Sequence, residues 1–168
     1  MGLPPAHRVD HTPVYILSFD SAWNHELLNK ELKPLKDNTA KVLDHPWVRY
    51  RRGLSRADLS TVQHYLVSDP PSPAVKFTFR RMTLSQWEIV QARLESNAHA
   101  ARHLALQYSL ASIDGAECLL ERGGTESGRL SADDLDRVRA LVSDEGLEEL
   151  GDQAIAVSRE LLDVEKKP

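Results

Sequence analysis

The stretch Ala74–Leu94, AVKFTFRRMTLSQWEIVQARL, decides the fold. Val75, Phe77 and Phe79 alternate with Lys76, Thr78 and Arg80, which is the period of a strand with one apolar face in need of cover. The period then changes. Thr83 is a favourable N-cap residue, Gln86 stands at N3 where its amide reaches back to the cap, and Met82 and Trp87 occupy the two positions of a hydrophobic staple. Trp87, Val90, Gln91 and Leu94 follow at helical spacing, so the stretch spells strand, corner and helix.

Similar phrasing lies upstream in Trp47–Leu66. Leu54, Ser55, Leu59, Val62, Gln63 and Leu66 match Met82, Thr83, Trp87, Val90, Gln91 and Leu94 at one constant offset, and WVRYRRG matches VKFTFRR after a one-residue slip. A second strand leading into a helix is expected there. Leu130, Ser131, Asp134 and Leu135 repeat the start signal with no strand before it, so the recurrence speaks to helix starts more than to duplication.

Further outward, Thr12–Phe19 (TPVYILSF) reads as a strand buried on both faces. Asp20 or Ser21 would cap a helix striped by Trp23, Leu27, Leu28 and Leu32 and limited by Pro34, and Lys33–Asp44 reads as a connection. Ser68–Pro73 (SDPPSP) is a stiff linker. The helix begun at Thr83 is expected to run on through Ala98, Leu104 and Tyr108 and across Gly115 to Leu120, with a break near Ser96 and Asn97 as the alternative. After Arg122–Arg129, two short helices are expected, Ser131–Ser143 and Leu147 to about Val164. The fold class is α+β: a small antiparallel or mixed sheet of two or three strands in the N-terminal half and a helical C-terminal half. A single domain over residues 1–168 is preferred to two lobes divided near 68–73, because so few strands are stable only under helical cover.

Composition narrows the function. The 168-residue chain carries 21 basic and 25 acidic residues and a formal charge of -4, against a bulk electrostatic drive toward nucleic acid or an anionic membrane. Its one cysteine, Cys118, forms no internal bridge, which points to the cytoplasm. The N-terminus has no run of signal-peptide length, Ala6 stands where a myristoylation signal wants Ser or Thr, and no stretch approaches the ~20 apolar residues of a membrane span.

Motifs of catalysis are incomplete. His25-Glu26 begins like a metalloprotease helix, but Asn29 replaces the second histidine. His99 and His103 share one face of a helix, and His7 and His11 have the same spacing on a loose arm; two imidazoles leave a zinc site two ligands short with no cysteine or carboxylate cluster nearby, so polar-side or capping histidines are expected and no metal or cofactor. No Gly-x-Ser-x-Gly elbow occurs, and the glycine-rich GGTESG lacks the lysine of a phosphate loop. Asp133, Asp134, Asp136, Asp144, Glu145, Glu148 and Glu149 form acidic runs read as a solvated face, several of them in first helical turns where negative charge offsets the helix dipole.

The basic residues are more informative. Arg51 and Arg52 interleave with Trp47 and Tyr50, and Arg80 and Arg81 follow Phe77 and Phe79; such mixing serves nucleic-acid-binding sheets, but clean alternation turns the aromatics inward and leaves the arginines for a protein partner. The C-terminal helices carry stripes that include Leu147, Leu150 and Leu161, part of which is expected to remain for another chain or a second copy of this one.

The phrases FTFRRMTLSQWEIV and RHLALQYSLASIDG, a glycine-containing loop, and LSADDLDRVRALVSDEGLEELGDQAIAVS resemble, in their order, small accessory proteins of the phage tail-assembly-chaperone type. The resemblance covers roughly residues 75–160, and the longer N-terminal part departs from it. It implies a non-enzymatic protein in the host cytoplasm that binds newly made tail proteins. The alternative is a virion component or small regulatory module using its arginine-rich strand surface on nucleic acid.

Overall fold

The structure, a computed structural model, describes residues 13–52, 59–116 and 129–166. It is α+β, with a three-stranded antiparallel sheet and a helical C-terminal half. Strands β1 (Val14–Tyr15) and β3 (Leu110–Asp114) flank β2 (Lys76–Phe79). Between β1 and β2 lie α1 (His25–Leu32), α2 (Thr39–Asp44) and α3 (Pro46–Arg51); α4 (Leu84–Ser96) and α5 (Ala98–Ser109) precede β3, and α6 (Ala132–Lys166) follows it. The N-terminal arm with His7 and His11, the Leu54-Ser55 start signal, Cys118 and the GGTESG loop lie outside the described residues.

The central corner follows its sequence. Phe77 and Phe79 are fully buried while Lys76 is exposed. Thr83 caps α4 in a complete capping box: Gln86 N–H donates to Thr83 Oγ1 at 3.1 Å, and Thr83 N–H to Gln86 Oε1 at 3.0 Å. Met82 and Trp87 are both buried beside it. α6 also starts where expected, with Ser131 and Asp134 exchanging the same two bonds at 3.1 and 3.2 Å.

Four expectations are corrected. Trp47–Arg51 is helix, not strand: His45 caps it, accepting Trp47 N–H on Nδ1 at 3.2 Å, and Pro46 opens its first turn. Leu59–Thr61 and Gln63–Tyr65 are short 3-10 turns, so among the described residues of this stretch there is no strand leading into a helix. The first strand is confined to Val14–Tyr15, although Ile16 and Leu17 are buried as expected. The following helix is capped by Asn24, since Asp20 is engaged elsewhere, accepting Ala22 N–H at 2.8 Å and Val75 N–H at 3.1 Å. Finally, the long helix from Thr83 breaks at Asn97, which ends α4 and caps α5, and the chain then turns into β3 at Leu110.

β1 has a side chain for its outer partner. Tyr50 Oη accepts Ile16 N–H at 2.8 Å and donates to Val14 C=O at 3.0 Å, a strand-like exchange supplied by α3. Tyr50 also stacks on Tyr15 at 5.2 Å and meets Trp23 edge-on at 5.7 Å. One apolar core joins this cluster to the sheet and to α4, α5 and α6.

α6 is two helices divided at Ser143, which takes φ 71° and ψ 175°. Its second half binds the rest of the molecule together. Glu149 accepts from Tyr15 Oη (2.9 Å), Ser18 N–H (2.7 Å) and Ser18 Oγ (2.6 Å). The Gln153 side-chain amide donates to the Arg51 carbonyl. At Gly151 the helix touches α5 so closely that a Cβ would stand 2.6 Å from the Arg102 Cβ and 2.8 Å from its carbonyl oxygen.

Candidate functional site

Two polar clusters are built into this frame. The first joins α1, α3 and the turn at Gln63–Tyr65. Tyr65 Oη donates to Glu31 Oε1 at 2.7 Å, and His45 Nε2 lies 3.1 Å from the same oxygen. Because His45 Nδ1 accepts an amide, its proton sits on Nε2 and points to Glu31. Burial, and then the bond to Glu31, push the Tyr65 phenol up to about 12, while its hydroxyl pulls Glu31 below the usual carboxylate range. Such a phenol keeps its proton at neutral pH, and the cluster fastens three elements through Glu31.

The second cluster lies on the seam between α5 and the second half of α6. His99 and His103, one turn apart on α5, face Glu148 of α6. Their rings are 4.2 Å apart. His103 Nε2 lies 3.7 Å from Glu148 Oε1, and His99 Nδ1 is in direct contact with that oxygen. The other carboxylate oxygen is held by Arg102 Nη1 at 3.2 Å, and Arg102 Nε bonds Asp152 at 2.7 Å. Burial, reinforced by the neighbouring His99, pushes the His103 imidazole below its ordinary value, which favours the neutral ring. Sequence spacing finds the two histidines but not Glu148, which stands in the acidic run after Ser143; only the pairing of α5 with α6 supplies it.

The residues expected to meet a partner are scattered. Arg51 and Arg52 end α3, with the Arg51 guanidinium 4.9 Å from the Trp47 ring centroid, whereas Arg80 follows β2 and donates from Nε to the Tyr108 carbonyl at 2.9 Å. The four arginines therefore do not share a strand surface. Trp47, Tyr50, Phe77 and Phe79 are all buried and present no face to a base. Leu147 and Leu150 are corrected outright: at 1% and 0% exposure they belong to the protein's own core, because the close crossing at Gly151 brings that face of α6 onto α5. The side chain of Leu161 lies outside the described residues.

Comparison with protein-family models, with curated proteins and with solved structures finds no match for this chain. Among the described residues, no helix is long and apolar enough to cross a membrane.

Proposed function

We propose that the protein is a non-enzymatic binding protein that assists phage tail assembly in the host cytoplasm by holding newly made tail proteins. The observation that carries the binding role is the outer face of α4. This helix buries Trp87 and Val90 and leaves Leu84 50% and Ile89 48% exposed, with Ser85 and Glu88 exposed between them. Single exposed apolar side chains are ordinary, but two large ones on the outer surface of one helix suit contact with another chain. Tail assembly in particular rests on the resemblance over residues 75–160. Burial of all four aromatics beside the arginines supports a protein partner over a nucleic acid.

The test combines gene order with binding. Tail-tube or tape-measure genes beside the coding gene, and co-purification of their products with the wild-type chain but not with a Leu84→Asp/Ile89→Asp variant, are the expected results. A neighbourhood without tail genes contradicts the assembly role, and equal capture by the double variant contradicts the surface.

A further inference from the structure

We propose that His99, His103 and Glu148 form a divalent transition-metal site, taking zinc, that clamps α5 to the half-helix beyond Ser143. One ligand atom from each residue lies within 4.8 Å of the other two, a separation that small side-chain rotations close to the spacing of donors around one ion at about 2.0–2.2 Å. Two imidazoles and a carboxylate are a donor set suited to zinc and its first-row neighbours.

The state of Glu148 is the independent observation. Its Oε1 is buried and makes no well-formed hydrogen bond, although both histidines converge on it. Oε2 is taken by Arg102. The carboxylate is thus oriented by an outer partner through one oxygen and presents the other to two imidazoles, as outer groups orient metal-binding side chains.

A fourth position is left to water. Asp144 stands one turn before Glu148 on α6 and is paired with Arg139 at 3.1 Å. With three protein ligands and the Arg102 charge beside Glu148, the site's affinity falls below that of a four-ligand structural zinc centre. His99 and His103 come from one helix and Glu148 from another, so binding would add a cross-link at the seam that carries the fold.

Calorimetric titration of zinc into the full chain, freed of any affinity tag and stripped with chelator, tests this. One equivalent should bind and raise the thermal midpoint. His99→Ala and Glu148→Gln should each weaken binding at least roughly tenfold. His99 is two-thirds exposed, so its variant stays folded, as circular dichroism would verify. Cobalt in place of zinc should give visible absorption bands that the same variants lose. No stoichiometric binding tighter than about 100 µM, or binding that both variants leave unchanged, overturns the site.

Discussion

Ser143 holds φ 71° and ψ 175°, a backbone region that is comfortable only for glycine, and does so where α6 must change direction. Its hydroxyl reaches Gly146 N–H only at 3.5 Å, so it returns little for the strain. Ser143→Gly should stabilise the protein by about 1 kcal/mol in urea unfolding, whereas a destabilised variant would show that the strain is absent. Two tyrosines set the alkaline limit. Burial raises Tyr15 well above its ordinary value, with Glu149 adding to it, and raises Tyr65 to about 12. Below pH 10, phenols are protonated in both folded and unfolded chains, and this contribution is fully present. Between about pH 10 and 12 the unfolded chain ionises while the fold keeps both protons, so stability falls as pH rises. Urea midpoints should drop across that window, less steeply in Tyr65→Phe; a flat profile would contradict the buried phenols. At this scale the site was half legible. The His99-His103 spacing stands in the sequence, but their carboxylate comes from a helix placed beside them only by the fold.

Among the elements, the corner at Thr83 was fully legible because its signals are local: alternation, a capping box and a staple all fall within one short stretch. Trp87→Ala should cost roughly 3–5 kcal/mol through lost burial, and Thr83→Ala about 1 kcal/mol through an unmet amide. Denaturation of both variants checks the pair, and equal, negligible effects would move the helix start. β3 was hidden by a bulge. Thr78 pairs with Ser112 and Phe79 with Leu110, so Ala111 is the extra residue, and the apolar Leu110 and Ile113 fall three apart as they would on a helix. Gly115 then turns the chain with φ 89°, where any Cβ would collide with the Ala74 carbonyl. In Trp47–Arg51 the alternation of apolar residues and arginines masked the stronger signal, a histidine cap followed by proline at N1; Trp47 and Tyr50, both buried, sit at helical spacing.

Across the whole molecule, the second half of α6 is the organising element. It meets β1 through Glu149, α3 through Gln153 and α5 through Gly151, and buries Leu147, Leu150, Ala154 and Ile155 in the common core. Sequence periodicity located this helix but could not say whether its stripe served the core or a partner, because amphipathicity is the same in either use. Its burial turns that stripe to the core, and its pairing with α5 places the His99-His103-Glu148 cluster on the seam that holds the fold. Native-state hydrogen exchange of the full chain, with and without zinc, tests this arrangement most directly. Amides of α5 and of residues 144–159 should exchange only through global unfolding, as slowly as those of β2, and should slow further when zinc is added. Exchange of residues 144–159 through local opening while β2 stays protected would contradict the seam as the molecule's centre, and unchanged protection with zinc present would contradict the clamp.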